Sequence, residues 1–310
     1  MLKLFCAALL ALPILPTSTA RGEGDPAKQG GPVTGTNHPS PVLRTAPLPK
    51  AARQGRQFKP TRFSVEVRGS GPDVILIPGL ASSRSVWSAT VAAVPGYRYH
   101  LVQVAGFAGE PVRGNASGRV VSGVADEIAG YIAAKGLKRP ALVGHSMGGT
   151  VALMVAARHP EAVGKAMVVD MTPQPAGFVG STASNVRALA DTLQGLTATP
   201  GGRRLVESAM EMFVGVQPAD RRSDTDVVAR ATHELAVTDL TDDLRRIQAP
   251  LTVVYAVPSP EQRPALQASY QSAYRQKRDA RLVRVDGSGH MIMLDQPAKF
   301  RSELKAFLSR

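Results

Sequence analysis

Short apolar runs, each closed by turn residues, punctuate the chain from residue 63 onward. Phe63–Val67 alternates apolar with polar positions, the period of a strand buried on one face. Val74–Ile77 is apolar throughout, and comparable runs recur at Tyr99–Val104, Ala141–Val143, Ala166–Val169, Leu251–Tyr255 and Leu282–Val285. A run without alternation, bounded by turn signals such as Gly69-Ser70-Gly71-Pro72, fits a strand covered on both faces, as in a parallel sheet.

Between these runs the period changes. Val121, Val124, Ile128 and Ile132 recur at helical spacing, as do Phe300, Leu304, Phe307 and Leu308. Strands alternating with helices predict an α/β fold, a mainly parallel sheet with helices on both faces. One stretch of about 80 residues, between Asp170 and Leu251, breaks the alternation. Val186, Leu189 and Leu193 keep a helical spacing there, and so do Leu205, Met210 and Phe213. An insertion in that place predicts a helical lid, at about 172–248, over the strand ends where α/β ligands bind. No internal repeat is found.

The first 60 residues follow neither period. Lys3, the apolar run Leu4–Leu15 and the small residues Ser18-Thr19-Ala20 together read as a secretory signal peptide over 1–20, so the protein is expected to be secreted or periplasmic with Arg21 opening the mature chain. Cys6 lies early in the apolar run, which argues against lipoprotein processing. It is the only cysteine, so the mature chain has no disulfide to form. Residues 21–60 are rich in Gly, Pro, Ser and Thr, with seven basic residues against two acidic. Such a segment buries too little apolar surface to offset its ordering entropy and reads as a disordered linker. Its charge suits weak contact with an anionic surface, or it is a solvated tether only. The folded domain is then expected over 61–310.

The whole chain of 310 residues carries a net charge of +13. A basic balance raises nucleic acid as a partner, yet aromatic residues make up only 5% and no zinc-finger, RRM or helix-turn-helix pattern occurs. Nucleic acid is therefore not expected. His233-Glu234 opens a zincin-like pattern that fails because Val237 stands where its second histidine belongs. No Walker A sequence, and no G-x-G-x-x-G following a strand, is present, so no metal and no organic cofactor is expected.

The chemistry concentrates at Leu142-Val143-Gly144-His145-Ser146-Met147-Gly148-Gly149, a G-x-S-x-G between an apolar strand and a helix. That context holds a serine on a sharp turn, its hydroxyl exposed at a helix N-terminus whose dipole favours developing negative charge. Ser146 is the candidate nucleophile. A serine hydroxyl needs a neighbouring base to take its proton. Of the six histidines, His38 lies in the tail, His145 is expected to point away from the nucleophile, and His100 and His159 read as scaffold.

Three stretches make the chain resemble the α/β-hydrolase superfamily, in its serine esterase and lipase branch, over roughly residues 62–309. They are Ile77-Pro78-Gly79-Leu80, Gly144–Gly149, and Gly289-His290-Met291-Ile292-Met293-Leu294-Asp295-Gln296-Pro297. The first resembles a loop that usually reads His-Gly, and Pro78 stands in the place of that histidine. The resemblance implies that the N–H groups of Leu80 and Met147 form the oxyanion hole, and that His290, after the last strand, is the base. It also implies an Asp after the strand Leu251–Tyr255, but that loop reads Ala256-Val257-Pro258-Ser259-Pro260-Glu261. Two acids stay open. Asp170 ends the strand before the lid, the sixth in the superfamily's usual order, where relatives resembling the haloalkane dehalogenases keep their carboxylate. Glu261 lies in the usual loop, displaced among prolines. Asp286 and Asp295 are too close to His290 along a short loop to reach its ring.

The implied activity is hydrolysis of a small carboxylic ester through an acyl-enzyme, and the lid residues Phe178, Val179, Met210, Met212 and Phe213 suggest a substrate with an apolar group. The same machinery could cleave an amide, a lactone or a carbon–carbon bond. Without the usual acid, the domain could also be a silent module binding the cell envelope.

Overall fold

The computed structural model describes residues 58–178 and 222–310, with the isolated positions 195 and 199. The expected signal segment 1–20, the expected linker through 57, and the predicted lid residues Val179, Val186, Leu189, Leu193, Leu205, Met210, Met212 and Phe213 lie outside the described residues.

All seven apolar runs are strands: β1 Phe63–Arg68, β2 Asp73–Ile77, β3 Arg98–Val104, β4 Ala141–His145, β5 Lys165–Val169, β6 Leu251–Val257 and β7 Arg281–Asp286. They form one sheet in the order β1-β3-β2-β4-β5-β6-β7, in which β1 pairs antiparallel with β3 and every other pair is parallel. The two edge strands, β1 and β7, mix buried and exposed positions, whereas β4 and β6 are buried along their whole length. The apolar period therefore reported each strand's place in the sheet.

Because successive side chains face opposite ways, each inner strand feeds two cores. Ile75, Ile77, Leu142, Val168 and Val253 share one core with the helices α2 Val121–Ala134 and α3 Met147–Arg158 and with Tyr270 and Tyr274. Val74, Leu76, Val143, Met167 and Val254 share the other with Trp87, just before the short helix α1 Ser88–Ala93, and with Phe300, Leu304 and Phe307 of the C-terminal helix. Each fully buried aliphatic side chain contributes about 1.5–3 kcal/mol.

The predicted insertion runs between β5 and β6, and its described part is helical. Helix α4, Thr225–Val237, begins with the Asp224 carboxylate accepting the Val227 N–H at 2.9 Å. The buried Glu234 carboxylate accepts the N–H groups of Val121 and Ser122, both at 2.8 Å. It thereby caps the N-terminus of α2, where no local side chain does so. The remaining long helices are α5 Arg263–Ala273 and α6 Pro297–Ser309. No described helix is long and apolar enough to cross a membrane.

Candidate active site

Parallel β4 and β5 pair His145 with Val169, so the residues that follow, Ser146 and Asp170, leave adjoining strand ends side by side. Both have φ of 53°, the left-handed region that costs a non-glycine residue about 1–3 kcal/mol. The Ser146 N–H is held by the Val169 carbonyl at 2.9 Å, and the Asp170 N–H by the Val254 carbonyl at 2.8 Å. The elbow's glycines are sterically required. A Cβ on Gly144 would overlap the Gly148 carbonyl, and one on Gly148 would overlap the Ile77 carbonyl. Ser146 immediately precedes α3 and is half-buried.

Asp170 is buried and its two oxygens divide their partners. Oδ2 lies 2.8 Å from His290 Nδ1. Oδ1 accepts the Ala256 N–H and the Tyr270 hydroxyl, each at 2.9 Å. Burial, and then the neighbouring Asp170 charge, push the Tyr270 phenol well above its usual range, so it keeps its proton and donates. His290 sits in the loop between β7 and the short helical turn Ile292–Asp295, its side chain 27% exposed and open to a reactant. Of the two acids left open by the sequence, Asp170 is the one brought to the imidazole. Glu261 is exposed in the turn Pro260–Gln262, its carboxyl lowered by a hydrogen bond to Ser259. Asp286 pairs with Arg284 at 3.0 Å and Arg263 at 3.4 Å.

His145, set aside above as a candidate base, packs against the loop of His290. Its ring turns inward and lies 4.6 Å, centroid to centroid, from that of His290. Burial, and then the His290 charge, hold it well below the usual histidine range, so it is neutral. Its Nε2–H donates to the His290 carbonyl at 3.0 Å. This places the neighbour of Ser146 directly against the loop that carries His290. No pattern along the chain signals that contact, because the β7 loop reaches His145 only through the tertiary fold.

The Gly79–Ser82 loop closes the other side. A Cβ on Gly79 would stand 3.2 Å from the Ser146 Cβ and 3.0 Å from His145 Nδ1, so a side chain here would push the loop or the His145 ring back by a few tenths of an ångström. Ala81 follows Leu80 with φ of 56°. Two side chains brace the loop: buried Gln103 takes the Arg84 N–H at 2.8 Å and donates to the Ser82 carbonyl at 3.3 Å. Ser223 takes the Ala108 N–H at 3.0 Å and donates to the Ala81 carbonyl at 3.1 Å. Met147 opens α3, and the first N–H groups of a helix have no acceptor within it. Leu80 and Met147 thus flank Ser146 from two elements. His100, bonded to Asp73 and Tyr131, and His159, at the end of α3, lie in the scaffold. Among the described residues no group of three His, Cys, Asp or Glu side chains converges as metal ligands. An open groove beside β1, lined by Phe58, Lys59, Arg113 and Lys135, shares no residue with this site.

Comparison with known proteins bears on the family and the fold. The model of the alpha/beta hydrolase family matches residues 74–303. A pimeloyl-[acyl-carrier protein] methyl ester esterase of Aeromonas hydrophila is 34% identical over 111 residues, 36% of this chain. That match spans 42% of the relative's own length. The esterase of the same name from Vibrio vulnificus is 24% identical over 79% of this chain and 97% of its own. Among solved structures, a carboxylesterase study of Nitrososphaera gargenis gives a TM-score of 0.63 at 14% identity, covering 80% of this chain and 94% of that one. The Exiguobacterium antarcticum esterase gives 0.58 at 22%, covering 80% and 96%. At those identities the structural likeness speaks to the fold alone.

Proposed function

The chain belongs to the alpha/beta hydrolase family, and from that premise we propose that it is a serine hydrolase of small carboxylic esters acting through an acyl-enzyme. The observation that carries the reading is the 2.8 Å contact between Asp170 and His290 Nδ1, built beside a serine on a strained elbow. Ser146 Oγ attacks the ester carbonyl while His290 takes its proton at Nε2, since Nδ1 is engaged by Asp170. Asp170 fixes the tautomer and stabilises the imidazolium. The N–H groups of Leu80 and Met147 receive the oxyanion, the term that usually contributes most to such reactions. Collapse of the tetrahedral intermediate expels the alcohol with the proton from His290. Water then repeats the sequence on the acyl-serine.

The preference for esters over amides, lactones or carbon–carbon bonds is supported by the esterases among the relatives. The insertion before β6 acts as the lid, and the signal segment sends the protein out of the cytoplasm with its basic linker as a tether. A silent module would have no use for an oriented Asp–His pair next to a strained serine.

The test is covalent. Wild-type protein should hydrolyse p-nitrophenyl acetate and butyrate and be labelled by a fluorophosphonate. Ser146→Ala should lose both while keeping its circular dichroism and melting temperature. Labelling that survives the substitution rejects Ser146 as nucleophile.

A further inference from the structure

We infer that Tyr270 is a positioning residue of this site, holding the Asp170 carboxylate in register with His290 and tempering its charge. The inference rests on the Ser146–His290–Asp170 reading above. It starts from an asymmetry in Asp170. Oδ2 serves His290, whereas Oδ1 takes two donors, the Ala256 N–H from β6 and the Tyr270 hydroxyl from α5. A carboxylate with one oxygen pinned by two donors cannot rotate, so Oδ2 stays aimed at the imidazole.

The phenol is itself fixed. Tyr270 is 1% exposed, its ring stacks on Tyr255 at 4.4 Å and 20°, and it lies parallel to Tyr274 at 6.5 Å. Tyr274 spends its hydroxyl on the Met171 carbonyl at 2.7 Å, just past the acid. Two neighbouring tyrosines of similar burial thus make different choices: one satisfies a backbone carbonyl, the other the carboxylate. The arrangement follows from where the acid sits. The loop after β6 leaves its one carboxylate, Glu261, exposed, and the helix that follows that loop sends a donor to the acid at the end of β5 instead.

A donor on Oδ1 draws charge from Oδ2 and weakens its hold on the imidazolium. Removing the donor leaves more charge facing His290, so the imidazolium is retained to higher pH. Tyr270→Phe keeps the stacked ring and deletes only the hydroxyl. Its kcat for p-nitrophenyl butyrate should fall on the order of tenfold, the scale of one hydrogen bond to a charged group, with KM unchanged. The acidic limb of its kcat/KM profile should move up in pH. Incorporation of 3-fluorotyrosine at 270, a stronger donor of nearly the same shape, should move that limb down and serves as the second variant if the phenylalanine protein folds poorly.

A double-mutant cycle separates positioning from packing. If Tyr270 acts through Asp170, adding Tyr270→Phe to Asp170→Asn should cost nothing more than Asp170→Asn alone. Equal losses in both backgrounds, or a limb unmoved by both the phenylalanine and the fluorotyrosine, overturn the role. An Asp170→Asn protein with full activity instead rejects the acid assignment, and the Tyr270 role falls with it. An impaired Asp170→Asn beside a silent Tyr270→Phe rejects Tyr270 alone.

Discussion

Ser146 and Asp170 occupy the same strained backbone region on neighbouring strand ends, and their contacts explain which acid serves the histidine. Asp170→Asn should preserve the shape of the pocket but offer Nδ1 the wrong partner. In a serine protease the corresponding change lowers kcat on the order of 10⁴, and a loss of that scale is expected here. Glu261→Gln, in an exposed turn, should leave kcat near wild type. Steady-state kinetics on the two proteins checks the order, and the reverse ranking returns the acid to the β6 loop. His145 gives a second residue-scale test. Burial holds its folded pKa below the unfolded value of about 6.5, so the unfolded chain binds the extra proton. The stability it contributes is complete above that value and is lost as pH falls below it. Urea midpoints should therefore drop from pH 7.5 to pH 5.5, and less steeply in His145→Asn. His159, lowered mainly by burial, keeps part of the slope. A slope identical to wild type in His145→Asn contradicts the buried neutral ring. Ser146 stood out in the sequence because strand, turn and helix surround it in the chain, and His290 through the resemblance of the loop after the last strand. The partners of Asp170 did not, since Ala256 and Tyr270 reach it from other elements.

Periodicity located every strand among the described residues, because each strand's burial is set by its place in the sheet and burial is what the apolar pattern records. It also located α2 and α6. It could not show how elements fasten to one another. Glu234 illustrates this: along the chain it belongs to a failed metal motif, yet in the fold its carboxylate caps α2 from α4. Glu234→Ala would leave two N–H groups at a buried helix start without an acceptor. The cost should be about 1.5–3 kcal/mol, the range for hydrogen bonds to a charged group. Urea denaturation measures it, and a change under a few tenths would mean that water replaces the carboxylate. Ser223 is a comparable fastener, tying the end of the insertion to the Ala81 loop.

At the scale of the whole molecule, the question is where the folded unit begins. The chain's composition set the boundary at 61, because residues 21–60 are rich in Gly, Pro, Ser, Thr and basic residues and carry almost no apolar periodicity. In the fold, Phe58 packs on the core against Gly130, whose missing side chain makes room for the ring. The N–H groups of Thr61 and Arg62 donate to Glu127 of α2 at 2.8 Å each. The Arg62 guanidinium reaches Asn115 at 2.9 Å, and its carbonyl takes the Ala105 N–H at 2.9 Å. This clasp fixes the antiparallel edge strand β1, which has only β3 to pair with. A protein beginning at residue 58 should therefore melt within a few degrees of the full chain and hydrolyse esters at the same rate. One beginning at 63 loses the half-buried ring and the Glu127 bonds, together worth at least about 3 kcal/mol. At roughly 2–4 °C per kcal/mol for a domain of this size, its melting temperature should fall by about 10 °C. Calorimetry on the two truncations decides it. Equal melting temperatures would make the clasp dispensable and move the boundary to β1 itself. A large loss already at 58 would mean that the basic segment before it contributes to the folded unit.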